Sequence, residues 1–198
     1  MGKKDSGINA DEAPNGVYIY RSDFKLYTKT MWNIEWNAQA LGIALITDKV
    51  RFVISPSGDK KLQWGKYGRF VTDCYTTSSS SAAKTDYKGY ANSAAIIATE
   101  QTWNNGNYCA KYCENFSLPN GEKGYQLSEG EWVQAKNYKS DIDYCLNLIK
   151  AEPIATDETY HTSTQYDENG NWYHHWVDGT ASWIKNKELY IRPCFRLV

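Results

Sequence analysis

Apolar and polar residues alternate with a period of two toward both ends of this chain, and with a helical period near 3.6 in its middle. Gly16-Val17-Tyr18-Ile19-Tyr20 alternates, meets Arg21-Ser22-Asp23, and resumes as Phe24-Lys25-Leu26-Tyr27, which predicts a hairpin. Leu41–Thr47 and Val50–Ser55 flank Asp48-Lys49 and predict a second one. Its near-continuous apolar character is that of strands buried on both faces. Between the hairpins, Trp32–Asn37 carries no assignable pattern. Residues 56–85 are broken by Gly, Pro, Lys and the run Ser78–Ser81, and read as a long surface excursion.

The middle predicts helices. Ala91–Gln101 forms one, with Asn92 as N-cap and Ala95, Ile96 and Ile97 buried, and a short one covers Tyr108–Asn115. Ser128-Glu129-Gly130-Glu131 is a Ser-x-x-Glu capping box opening a helix to about Asn137. Asp141–Ile149 places Ile142, Cys145, Leu146 and Ile149 on one face, and Pro153 stops it. Strands then return. Tyr160–Tyr166 and Asn171–Val177 flank the turn Asp167-Glu168-Asn169-Gly170 as a hairpin, and Tyr190–Val198 reads as a third strand. With Trp172 and Trp176 facing the core, His174 also points inward, while Tyr173, His175 and Val177 point outward. This order is an α+β layout packed as one body.

Composition narrows the function. The 198 residues fit one domain, and a net charge of −1 supplies no basic face for nucleic acid. Tyr (16) and Trp (8) far outnumber Phe (5), and such amphipathic rings favour binding surfaces. No apolar run approaches the roughly 18–20 residues of a membrane helix, so membrane insertion is not expected. Met1–Asp5 is followed by no apolar stretch, so no secretory leader is expected; nor is the Met1-Gly2 start read as a lipidation signal. Five cysteines leave at least one unpaired within the chain, and Cys113, Cys145 and Cys194 read as buried thiols.

Three ordered blocks carry a resemblance: Asp86-Tyr87-Lys88-Gly89-Tyr90-Ala91-Asn92, Ala110-Lys111-Tyr112-Cys113, and Gly124-Tyr125-Gln126-Leu127-Ser128-Glu129-Gly130-Glu131-Trp132. With Tyr160–Thr164, Trp172-Tyr173 and Arg192-Pro193, this series resembles a C-type-lectin-like family of gut anaerobic bacteria and their tailed phages. That family is distantly similar to formylglycine-generating enzymes. The resemblance spans residues 14–198 and implies a C-type-lectin-like fold with an amino-terminal β-hairpin extension. Residues 1–15 would be a flexible or docking arm, 16–70 an amino-terminal β region, and 71–198 the lectin-like domain. The chain departs from the family's pattern at His161, Gln126 and His174.

Several chemistries can be weighed. The copper chemistry of formylglycine-generating enzymes needs a cysteine arrangement that Cys109, Cys113 and Cys194 do not reproduce. Calcium lectins use a Glu-Pro-Asn loop and a Trp-Asn-Asp strand; here Glu152-Pro153-Ile154 and Trp176-Val177-Asp178 each replace the oxygen-donating Asn with an apolar residue. His174 and His175 point to opposite faces of a strand and do not share an ion with each other. Arg192 and Arg196 are expected to pair internally with Glu131 or Asp178. What remains is recognition without catalysis, metal or cofactor. The expected binding surface is His161, Tyr166, Asn169, Tyr173, His175 and Trp183. The expected partner is a host-surface glycan or protein, met on a virion or cell surface as an adhesin-like module. The alternatives are a structural virion subunit, forming homo-oligomers or contacting other virion proteins through the amino-terminal β region, and an oxidoreductase that would require copper on Cys194.

Overall fold

Alternation at the two ends of the chain builds two five-stranded sheets, and the helices of the middle pack against them. The computed structural model describes residues 6–198. The first sheet contains β1 (Gly16–Arg21), β2 (Leu26–Tyr27), β3 (Ala40–Ile46), β4 (Arg51–Ile54) and the distant β10 (Cys194–Arg196), in the order β10-β4-β3-β1-β2. Both expected hairpins are present: Ile19 faces Tyr27 across β1 and β2, and Ala44 faces Val53 across β3 and β4. The second sheet contains β5 (Lys60–Leu62), β6 (Thr159–Gln165), β7 (Gly170–His175), β8 (Gly179–Ile184) and β9 (Leu189–Ile191), in the order β5-β9-β6-β7-β8. All its pairings are antiparallel except β6 with β9. The chain is therefore α+β, with two mostly antiparallel sheets.

The helices are α1 (Ser80–Ala83), α2 (Gly89–Glu100), α3 (Cys109–Glu114), α4 (Glu129–Asn137) and α5 (Lys139–Leu148). At α4 the capping box closes as expected, the Ser128 N–H donating to Glu131 Oε2 at 2.8 Å. α5 packs on β1 and β3 through Ile142, Cys145 and Leu146, while α4 packs on β6, β7 and β8. A continuous core runs between them and includes Ile19, Ile43, Leu45, Phe52, Trp132, Tyr160 and Trp176.

Four local expectations change. Residues 56–85 are not a surface excursion: Trp64, Val71 and Cys74 are buried with Ile96 and Tyr108 in a separate apolar cluster. Asn92 is not an N-cap but lies inside α2, where its Oδ1 accepts from the Tyr75 N–H and its Nδ2 donates to Asp86. The unassigned Trp32–Asn37 stretch enters a short 3₁₀ helix, Ile34–Gln39, and Trp32 and Trp36 stack edge-on with Tyr27. The closing run is not one strand. It leaves the second sheet after Ile191, crosses at Arg192-Pro193 and joins β4 of the first sheet, where Phe195 faces Val53. Proline has no N–H to lose at such a crossing.

Arg192 sits buried at that crossing. It pairs with Asp59 and donates to Ser55 O, Glu152 O and Pro153 O at 3.0–3.2 Å. Arg196 pairs with Glu122 at 2.9 Å. Neither arginine forms an ion pair with Glu131 or Asp178: Asp59 and Glu152 take Arg192, and Glu122 takes Arg196. Of the expected arm, residues 1–5 lie outside the described residues. Beyond them, Ile8 bridges Leu26 and Ala10 is buried against the first sheet. Among the described residues no helix is long and apolar enough to cross a membrane.

Candidate functional site

The hairpin β6–β7 turns on Asp167, whose Oδ1 accepts from the N–H groups of Asn169 and Gly170, both at 2.7 Å. This side-chain-locked turn is what the Asp-Glu-Asn-Gly sequence favours. It fixes Tyr166 beside Trp172, ring centroids 5.4 Å apart. On the far side of β7, β8 runs antiparallel with Gly170 opposite Ile184 and Asn171 opposite Trp183. The turn and the end of β8 thus enclose a cavity of about 420 Å³ lined by Tyr166, Asp167, Asn169, Gly170, Ser182, Trp183 and Ile184. Trp183 is 52% exposed and Ile184 44%, an unusual share of apolar surface for adjacent strand residues. The lining contains no histidine, cysteine or lysine.

Of the residues nominated from sequence, Tyr166, Asn169 and Trp183 converge on this cavity. Tyr173 and His175 lie outside its lining and are half-buried. The His175 Nδ1 accepts from the Val177 and Asp178 N–H groups at 3.3 and 3.0 Å, so the imidazole closes the β7–β8 turn.

The expectation for His161 is overturned: it is fully buried and not part of any surface. The cause is the 56–85 segment, which folds over β6. The Trp64 Nε1–H donates to Thr162 O at 2.8 Å, and the Val71 N–H to Gln165 Oε1 at 3.0 Å. α2 and α4 pack on β6 as well, and the strand is buried from Tyr160 to Gln165. The His161 Nδ1 takes a hydrogen from Asn171 Nδ2 at 3.0 Å, so its Nε2 carries the proton and donates to Lys187 O at 2.8 Å. Burial drives its pKa down to about 4. Lys185 ties down the same cover, donating to Arg69 O and Gln165 Oε1 at 2.7 and 2.6 Å, and burial lowers its pKa to about 8.

His174 points inward as the strand period requires. Its Nδ1 lies 2.9 Å from Glu129 Oε1, its ring stacks on Trp132, and Thr180 Oγ1 donates to the same carboxylate oxygen. Burial raises the Glu129 pKa. This is a packed polar pair under the sheet. All five cysteines are free and buried, and burial pushes the thiols of Cys109, Cys113 and Cys194 well above their ordinary range, opposite to a reactive thiolate. Glu152 accepts from the Gly58 N–H at 3.0 Å, which occupies the carboxylate of the Glu-Pro-Ile step in a loop contact.

Sequence reasoning missed Ser182 and Ile184 because Gly179-Thr180-Ala181-Ser182 has little β-propensity to mark a strand. No protein-family model matches the chain, and no curated protein matches it. Among solved structures, the chain is similar to a fimbrial protein from Bacteroides ovatus ATCC 8483, with TM-score 0.66 at 14% identity. The match covers 93% of this chain and 49% of that one, so the chain spans about half the length of that protein. At this identity the likeness is one of fold.

Proposed function

We propose that this chain is a non-enzymatic, adhesin-like recognition module of C-type-lectin-like fold, displayed on a bacterial or phage surface, and that it binds a host glycan or protein at the β6–β8 rim. One observation carries the reading: Tyr166 and Asn169 of the β6–β7 turn and Trp183 of β8 share one open cavity with Asp167 and Ile184. Its indole and phenol faces offer stacking area, and its carboxylate and amide offer directional hydrogen bonds at the rim. A rigid aromatic platform on paired strands loses little conformational entropy when it binds. The fold shared with a fimbrial protein supports a surface setting. The phage setting rests on the family resemblance of the sequence.

Glycan-array and whole-cell binding by the wild type and by a Tyr166→Ala/Trp183→Ala double variant tests this. Binding falls to background in the variant while its unfolding free energy falls by no more than about 2 kcal/mol, since Trp183 is 52% exposed and Tyr166, beside Trp172, is only partly buried. Undiminished binding by a folded double variant removes the cavity from consideration.

A further inference from the structure

A second cleft, of about 380 Å³, opens where β4 and β10 meet the start of α2, and it shares no lining residue with the first. Four separate stretches of sequence build it. The β3–β4 turn delivers Lys49. The Tyr125–Cys194 bridge and the pairing of Arg196 with Phe52 bring Tyr125 and Arg196 to the edge of the first sheet. Tyr87 and Lys88 lead into α2, and Tyr90 lies in its first turn. Four cations, Lys49, Arg51, Lys88 and Arg196, line this cleft against a single acid, Glu131, in a chain whose net charge is −1.

The acids that accompany this charge are already committed. Glu131 accepts from the Tyr125 hydroxyl at 3.2 Å and from the Ser128 N–H at 2.8 Å, and burial raises its pKa to about 7. Glu122 holds Arg196 through two hydrogen bonds, at 3.0 and 2.9 Å, which fixes the guanidinium 4.2 Å from the Tyr90 ring centre. Arg51 donates to Ala10 O and pairs with Asp11 at 3.9 Å. Lys49 and Lys88 differ: among the described residues neither has an acidic partner within ion-pair distance. Lys49 Nζ stands 5.7 Å from the Tyr87 ring centre, and Tyr90 packs edge-on against Tyr125 at 5.8 Å. Lys88 Nζ stands 5.4 Å from the ring centre of Tyr75, which does not line the cleft. Two ammonium groups without acidic partners, one of them over a lining tyrosine, in a cleft large enough for one or two pyranose rings, make a receptor for an anionic ring-shaped ligand.

We propose that this cleft is a second binding site and that it takes an acidic saccharide, with the carboxylate or sulfate toward Lys49 and Lys88 and the sugar ring against Tyr87 and Tyr90. Tyrosine faces suit the C–H surface of a pyranose, and their hydroxyls suit its oxygens. The chain's near-neutral charge gives no extended field for a polyanion such as nucleic acid.

Isothermal titration of the full chain with glucuronic acid, with a sulfated disaccharide and with neutral lactose tests the assignment. At least one acidic probe binds, more weakly as salt is raised, and lactose does not compete with it. Lys49→Gln/Lys88→Gln weakens that binding roughly ten-fold or more, the scale of one lost charge-assisted hydrogen bond. Trp183→Ala leaves it unchanged, which separates this site from the β6–β8 cavity. Carboxylate-selective or sulfate-selective binding identifies the acidic group. Equal affinity for lactose, undiminished affinity in the lysine double variant, or no binding of either acid overturns the proposal.

Discussion

Lowering the pH titrates His161 directly, and the outcome separates a buried imidazole from a surface contact. Burial takes its pKa from the ordinary 6.5 to about 4 in the folded chain. Between those values the unfolded chain binds a proton that the native chain refuses, so His161 stabilises the fold fully above pH 6.5, and the contribution is lost as pH falls to 4. A shift of that size corresponds to about 3 kcal/mol, a large fraction of the 5–15 kcal/mol typical of a domain. Glu131 works in the opposite direction. Its pKa is raised from 4.5 to about 7, so the native chain holds the extra proton and stability falls as pH rises through that window. The wild-type profile alone therefore mixes two slopes. Urea unfolding of the wild type and of His161→Gln, measured from pH 7 to pH 4, isolates the histidine. The stability difference between the two proteins shifts against the wild type by about 3 kcal/mol toward acid. NMR of the His161 ring protons gives a midpoint near the acid end of that range. Parallel urea profiles, or a ring midpoint at 6.5, would falsify the burial argument and return His161 to the surface.

Two stability predictions follow from the packing. Arg192→Lys keeps the charge but loses the planar fork that reaches Asp59, Ser55 O and Pro153 O at once, and it costs about 3 kcal/mol by urea unfolding; a loss under 1 kcal/mol contradicts that role. Gly130→Ala places a Cβ 2.3 Å from Asp86 O, a backbone atom that cannot turn aside. The expected loss is about 2–3 kcal/mol in thermal or urea melts, with α4 displaced from the Asp86 loop; a neutral effect shows that the loop yields.

The helices and hairpins were legible because their signals are local. The Ser128–Glu131 box, the 3–4 spacing of Ile142, Cys145 and Leu146, and the alternation around Trp172 and Trp176 each act within a few residues. The Asp167–Gly170 turn was equally legible, since an Asp side chain folds back on its own backbone. These local rules placed Tyr166 and Asn169 at a solvent-facing turn.

The sequence by itself thus determined the α+β layout, most strands and helices, and the inward direction of His174. Tertiary structure decided what covers what. A period of two states which residues share a face, but not whether a segment 98 residues earlier lies over that face, as Trp64 lies over Thr162. That contact buried His161. The sheet change at Arg192-Pro193 was hidden for the same reason: both halves of the run read as strand, and only the partners of Tyr190 and Phe195 place them in different sheets. The cleft around Lys49, Lys88 and Tyr90 is likewise a product of tertiary structure. Its charges are scattered through a chain of nearly balanced composition, and only the approach of Arg196 and Tyr125 to Tyr90 at the start of α2 brings them together.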